Sequence, residues 1–119
     1  MDAELVALSL AIGQAAMARN ATLATAESCT GGWAAQVITH TAGSSAWFDR
    51  GFITYSNAAK SDMLGVQGLT LTTHGAVSEA TAREMALGAL THSAASYALA
   101  ITGIAGPAGA AKGDQFCMF

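Results

Sequence analysis

The sequence predicts an α/β domain with helices on both faces of a sheet. Two observations predict it: short apolar strands alternate with helical periods along the chain, and three of the predicted strand ends lead into polar or glycine-rich loops. At 119 residues the chain is one domain's worth. A chain of this size can bury a core without disulfides or metals.

From Ala3 to Arg19 the apolar residues Leu5, Leu8, Ile12, Ala15 and Ala16 recur at helical intervals, with Leu10 and Met17 widening the stripe, and the helix is expected to stop near Asn20. Thr22 to Ala26 is short, β-branched and apolar, as a buried strand would be. A polar turn, Glu27 to Gly32, leads into a helical segment, Trp33 to Thr39. Thr41 to Arg50 reads as irregular or as a short helix, and Gly51 to Tyr55 as a strand. Asn57 is placed to cap a helix from Ala58 to Leu64, which Gly65 and Gly68 break. Ser78 caps a further helix, running to about Ala95, whose positions Ala82, Met85, Ala86, Ala89 and Leu90 keep the helical period. Tyr97 to Ile101 reads as a buried strand ending in the glycine-rich loop Gly103 to Pro107. Gln115 to Phe119 would begin one more strand.

Composition narrows the function. Hydrophobic residues make up 52 % and charged residues 11 %, much of the apolar count being alanine. No window reaches the 18 or so consecutive apolar residues of a spanning helix, so no membrane partner is expected, and the surplus of apolar residues points to a homo-oligomer with buried interfaces. The net charge is −3 and the five basic residues are scattered, which argues against nucleic acid. An acidic start without a signal-peptide pattern, and two cysteines without CxxC spacing, point to a cytoplasmic protein. His40, His74 and His92 lack zinc-ligand spacing, so neither metal nor cofactor is expected.

If the strands are parallel neighbours, Glu27–Gly32, Tyr55–Lys60 and Thr102–Pro107 gather at one edge of the sheet, where α/β proteins place their sites. Ser28 sits in a turn before a helix start; it is either a nucleophile served by backbone N–H groups or an N-cap, as Thr30 could also be. Lys60, one of two lysines, is either a desolvated base or a solvated helix residue. Ser56 is a competing local partner for it. Tyr55 could orient a proton, Thr102 and the glycines after it could form a phosphate or ribose loop, and Cys29 is either a nucleophile or an inert small hydrophobe. A Ser28–His74–Asp49 triad also stays open.

Four segments then converge on one family: ATAESCTGGWAAQVIT (Ala24–Thr39), AGSSAWFDRGFITYSNAAKSDMLGV (Ala42–Val66), HGAVSE (His74–Glu79) and ITGIAGPAG (Ile101–Gly109). Together they closely resemble the CinA C-terminal domain, or PncC, family over nearly the whole chain. The resemblance implies a three-layer α/β/α sandwich with a mostly parallel central sheet. It also implies a metal-independent serine amidohydrolase acting on the carboxamide of nicotinamide mononucleotide (NMN). Carried over, Ser28 is the nucleophile, Lys60 its general base and Tyr55 an assistant. Glu27, Thr30, Gly31, Gly32, Thr102, Gly103 and Gly106 fall on the substrate side, and the N–H groups from Cys29 to Gly31 would hold the oxyanion. The alternatives are a non-catalytic, competence- or damage-associated relative that binds a nucleotide or a protein, and a different amidohydrolase acting on a related pyridine nucleotide. The segment Ala108–Phe119 departs from the family, whose members run on through further strands and a closing helix. A C-terminally shortened domain, active or inactive, is the expectation.

Overall fold

The computed structural model describes residues 1–104 and the strand residues 116–118. Helix α1 (Ala3–Ala18) leads into β1 (Leu23–Glu27), α2 (Trp33–Thr39), a 3₁₀ turn (Ser44–Ala46) and β2 (Phe48–Ile53). Three helices follow, α3 (Asn57–Leu64), α4 (Gly68–His74) and α5 (Glu79–Thr91), before β3 (Tyr97–Gly103) and β4 (Phe116–Met118). The sheet has the order β2-β1-β3-β4. β1 lies parallel to both β2 and β3, and β4 runs antiparallel to β3.

Small residues on β1 set the thickness of the core. Ala24 and Ala26 meet Ala82, Met85, Ala86 and Ala89 of α5, with Leu64, Val66 and Ala100 in the same cluster. Alanine on both partners lets helix and sheet approach closely. On α5, Gly88 allows a close crossing with the end of α3, where a Cβ would lie 2.0 Å from the Leu64 carbonyl oxygen. The opposite face carries α1 and α2, with Ala16, Ala21, Ile38 and Trp47 in a second core. This is the three-layer α/β/α sandwich with a mostly parallel sheet that the resemblance implies, three strands being parallel and β4 antiparallel.

Several local expectations are corrected. Helix α1 buries Ser9, Gly13 and Ala16 rather than Leu8 and Ala15, which are exposed. Its position is set by the Trp47 ring, seated against Gly13, and by a 2.7 Å hydroxyl pair between Ser9 and Thr41. β2 begins at Phe48, three residues earlier than predicted, because the parallel pairing with β1 extends back to Leu23. It ends at Ile53, so Tyr55 lies beyond the strand. Ser56, not Asn57, caps α3, its hydroxyl accepting from Ala59 N–H at 3.0 Å. α5 stops at Thr91, where Asp49 accepts from Ala94 N–H and Arg50 donates to the His92 carbonyl. Among the described residues no helix is long and apolar enough to cross a membrane.

Candidate active site

The register of the sheet places three strand exits abreast. Glu27 pairs with Ile53 on one side and Ile101 on the other, so Ser28, Thr54 and Thr102 are the next residue along on three neighbouring strands. Two hydrogen bonds fix the exit: Thr54 N–H donates to the Glu27 carbonyl at 2.7 Å and Ser28 N–H to the Ile101 carbonyl at 3.0 Å. Because β2 and β3 flank β1 while following it in sequence, the chain reverses its winding at this edge. Such a switch point opens a crevice at the carboxyl ends of the strands.

Into that crevice α3 delivers Lys60. Its side chain is 1 % exposed, and Nζ lies 3.0 Å from Ser28 Oγ, 3.1 Å from the Thr54 carbonyl and 3.2 Å from the Tyr55 carbonyl. Among the described residues no carboxylate pairs with it. Burial pushes its pKa below the ordinary lysine value, and any negative charge on Cys29 would act the other way. The three oxygens are not equivalent. Nζ is placed to donate to all three, and Ser28 Oγ in turn donates to the Tyr55 carbonyl at 3.4 Å. A carbonyl can only accept, so Ser28 is the one partner toward which a neutral amine could turn its lone pair.

The turn that carries Ser28 is held by Glu27. This carboxylate is 1 % exposed and accepts from the Thr30 hydroxyl at 2.6 Å and from Ala34 and Ala35 N–H at 2.9 and 3.0 Å. It therefore occupies the start of α2 and satisfies N–H groups that a helix leaves unpaired. Gly31 and Gly32 take φ of +61° and +105°, which L side chains rarely adopt, so the tight return into α2 needs glycine at both. Glu27, Thr30, Gly31 and Gly32 thus build the turn and lie outside the pocket lining.

The pocket itself has a volume of about 250 Å³ and is lined by Ser28, Cys29, Tyr55, Asn57, Lys60, Ala76, Thr102, Gly103 and Ile104. Of the predicted residues it brings together Ser28, Tyr55, Lys60, Thr102 and Gly103. Tyr55 gives its backbone carbonyl to Lys60, while its side chain, 70 % exposed, stands at the mouth. Thr102 is buried and donates to the Ala76 carbonyl at 2.9 Å. Gly106 lies outside the described residues. The sequence reading missed Asn57 and Ala76. Once Ser56 is recognised as the cap, Asn57 becomes legible, being one helical turn before Lys60 on the same face.

The alternatives separate on geometry. Ser56 Oγ is committed to the α3 cap. Burial pushes the Cys29 thiol above its ordinary pKa, against the pull of the N–H groups of Cys29 and Thr30, which disfavours the thiolate that a nucleophilic cysteine needs. Asp49 is at the start of β2, the far end of the sheet from Ser28, and is bound to Arg50 at 2.7 Å, which dissolves the triad with His74. Gly31 N–H donates to the Ser28 carbonyl at 3.1 Å, which takes it out of the expected set of oxyanion donors. A larger hollow of about 370 Å³ opens at the other end of the strands, but its lining is mainly apolar, with Arg19 and Tyr97 as its polar members and no serine, cysteine, lysine or carboxylate. Among the described residues no group of three or more His, Cys, Asp or Glu could hold a metal ion.

With that geometry in view, residues 6–117 match the family model described as the CinA C-terminal domain. The nicotinamide-nucleotide amidohydrolase PncC of Escherichia coli K12 is 61 % identical over 111 residues, which cover 93 % of this chain and 67 % of that protein. A CinA-like protein of Chloroherpeton thalassium is 54 % identical over 98 residues, covering 82 % of this chain and 23 % of its own length. The crystal structure of a competence/damage inducible protein from Agrobacterium tumefaciens superposes with a TM-score of 0.86 at 52 % identity, covering 90 % of this chain and 65 % of that one. A CinA superfamily structure from Escherichia coli gives 0.86 at 32 % identity, covering 97 % and 76 %.

Proposed function

The chain belongs to the CinA C-terminal domain family, and from that premise we propose that it is an amidohydrolase converting NMN to nicotinate mononucleotide and ammonia by a serine–lysine mechanism. The observation that carries this reading is the buried Lys60 amine, 3.0 Å from Ser28 Oγ and held by two carbonyls. A protein that only binds a nucleotide gains nothing from desolvating a lysine against a serine.

Ser28 Oγ attacks the carboxamide carbon as its proton passes to the lone pair of Lys60. The carbonyl oxygen becomes an oxyanion facing the N–H groups of Cys29 and Thr30, and losing one such donor typically costs about 10²–10³ in rate. Lys60 returns the proton to the departing nitrogen, which leaves as ammonia, and an acyl ester remains on Ser28. Water then attacks that ester with Lys60 again as base, releasing the acid and restoring the hydroxyl. Pockets for drug-sized ligands run to roughly 300–1,000 Å³. At about 250 Å³ this one suits the reacting end of the nucleotide, with ribose and phosphate reaching past Tyr55 and Gly103.

The same reading makes the domain, residues 1–119, a cytoplasmic homo-oligomer. Its support is the exposure of Val6, Leu8, Leu10 and Met17 on α1 and of Trp33 on α2.

Incubation with NMN, with ammonia and nicotinate mononucleotide as readouts, tests the proposal beside Ser28→Ala and Lys60→Ala. Turnover in the parent protein and its loss in both variants is the expected result. No turnover from the folded parent would overturn it.

A further inference from the structure

The polar groups around the pocket differ in what they have left to offer. Ser28 and Lys60 face each other, and the Thr102 hydroxyl donates to Ala76. Tyr55 stands 70 % exposed at the mouth. Asn57 remains. It lines the same pocket, and Ser56 relieves it of capping duty. No hydrogen bond joins its side chain to another described residue. It precedes Lys60 by three residues on α3, so the two side chains share a face, and helical side chains lean toward the N-terminus, which carries Lys60 toward Asn57.

We infer that Asn57 recognises the scissile carboxamide, accepting through Oδ1 a hydrogen bond from its NH₂ group, and so distinguishes the amide substrate from its acid product. This rests on the amidohydrolase reading. The substrate's carbonyl oxygen is directed to the N–H groups of Cys29 and Thr30, so its NH₂ is the part still to be read, and reading it takes an acceptor. The product acid has no such donor. A neutral side-chain amide can turn its Nδ2 toward a carboxylate and tolerate it; an aspartate at the same place cannot. Asn57→Asp therefore keeps the acceptor for the amide and adds repulsion against the acid. Aspartate is also favourable in the first turn of a helix, so the variant is expected to fold.

The test measures binding of NMN and of nicotinate mononucleotide by calorimetry, in a Ser28→Ala protein that cannot turn over and in the same protein carrying Asn57→Asp. The expected result is an acid-to-amide Kd ratio that rises about tenfold in the Asn57→Asp protein, from short-range repulsion between two carboxylates, while the amide Kd stays within about threefold. Asn57→Leu should weaken the amide by about tenfold, the loss of one hydrogen bond at the pocket. An unchanged ratio in the aspartate variant, or no binding of either nucleotide to Ser28→Ala, would overturn the inference. Ammonia release by the parent protein is scored separately. A parent that shows the shifted binding ratio on substitution but releases no ammonia would refute hydrolysis and leave the recognition standing.

Discussion

Lys60 Nζ sits 3.0 Å from Ser28 Oγ, and the two other oxygens within reach of it are backbone carbonyls. The lysine is therefore anchored by groups that cannot titrate, in a place where burial disfavours its charge. In the proposed mechanism it acts as a base, which it can do only when neutral. kcat/KM is expected to rise with pH through the lowered pKa of Lys60, with a slope of one, and to level off below the ordinary lysine value of 10.5. A pH–rate profile checks this, and a rate still climbing at 10.5 would show that burial does not tune the amine.

The same shift has a consequence for stability. The folded protein gives up the Lys60 proton at a lower pH than the unfolded chain does. Between the lowered folded pKa and 10.5 the unfolded state thus binds more protons, and stability rises with pH across that window. Lys60→Met removes the titrating group while roughly keeping its length. Urea unfolding of both proteins, from about pH 7 up to 10.5, should show a rise in the parent that is smaller in the variant by the lysine's share. Parallel curves would mean that the amine is not desolvated.

Glu27 holds the turn that carries Ser28. Its two oxygens accept from Thr30, Ala34 and Ala35 at 2.6, 2.9 and 3.0 Å. Glu27→Gln keeps one acceptor and turns an NH₂ toward a backbone N–H, so about 1–3 kcal/mol of stability should be lost. Denaturant unfolding measures it. Activity should fall with it, since Ser28 is the next residue, and Thr30→Val should reproduce a smaller part of both effects.

How much of this is legible in the sequence follows from which forces are local. The strand exits, the turn glycines and the Ser28 and Lys60 positions rest on short-range patterns, so their convergence can be argued from the chain alone. Helix α4 cannot. Its sequence, GLTLTTH, opens on glycine and alternates like a strand. What makes it helical is Glu84 on α5, which accepts from Gln67 N–H at 2.9 Å and from the Thr70 hydroxyl at 2.5 Å. A cap supplied from seventeen residues away leaves no mark in a local window. The Tyr55 side chain departs from expectation for a related reason: the strand ends two residues earlier, so its carbonyl rather than its hydroxyl turns inward.

Gly88 reports on the contact between α5 and the end of α3. A Cβ there would meet Leu64 O at 2.0 Å and Leu64 Cα at 2.8 Å. Alanine is the better helix former by up to ~1 kcal/mol, yet forcing two backbones apart typically costs about 1–3 kcal/mol. Gly88→Ala should therefore lower stability in urea unfolding, and a gain would contradict the close crossing.

Thr102 holds a wall of the pocket through the loop between α4 and α5. Its hydroxyl donates to the Ala76 carbonyl at 2.9 Å, while Ser78 and Thr81 both donate to the Gly75 carbonyl, at 2.9 and 2.7 Å. Three hydroxyls thus pin two consecutive carbonyls, and the Ala76 they position lines the pocket. Valine has the shape of threonine but leaves the Ala76 carbonyl without its donor, a loss of about 1–3 kcal/mol in stability. The wall faces ground state and transition state alike, so its displacement should raise KM several-fold and leave kcat nearly unchanged. Thr102→Ser keeps the donor and should restore KM toward the parent value. If instead Thr102→Val lowers kcat at constant KM, the hydroxyl acts on the reacting atoms, and its bond to Ala76 is not the reason that the site needs it.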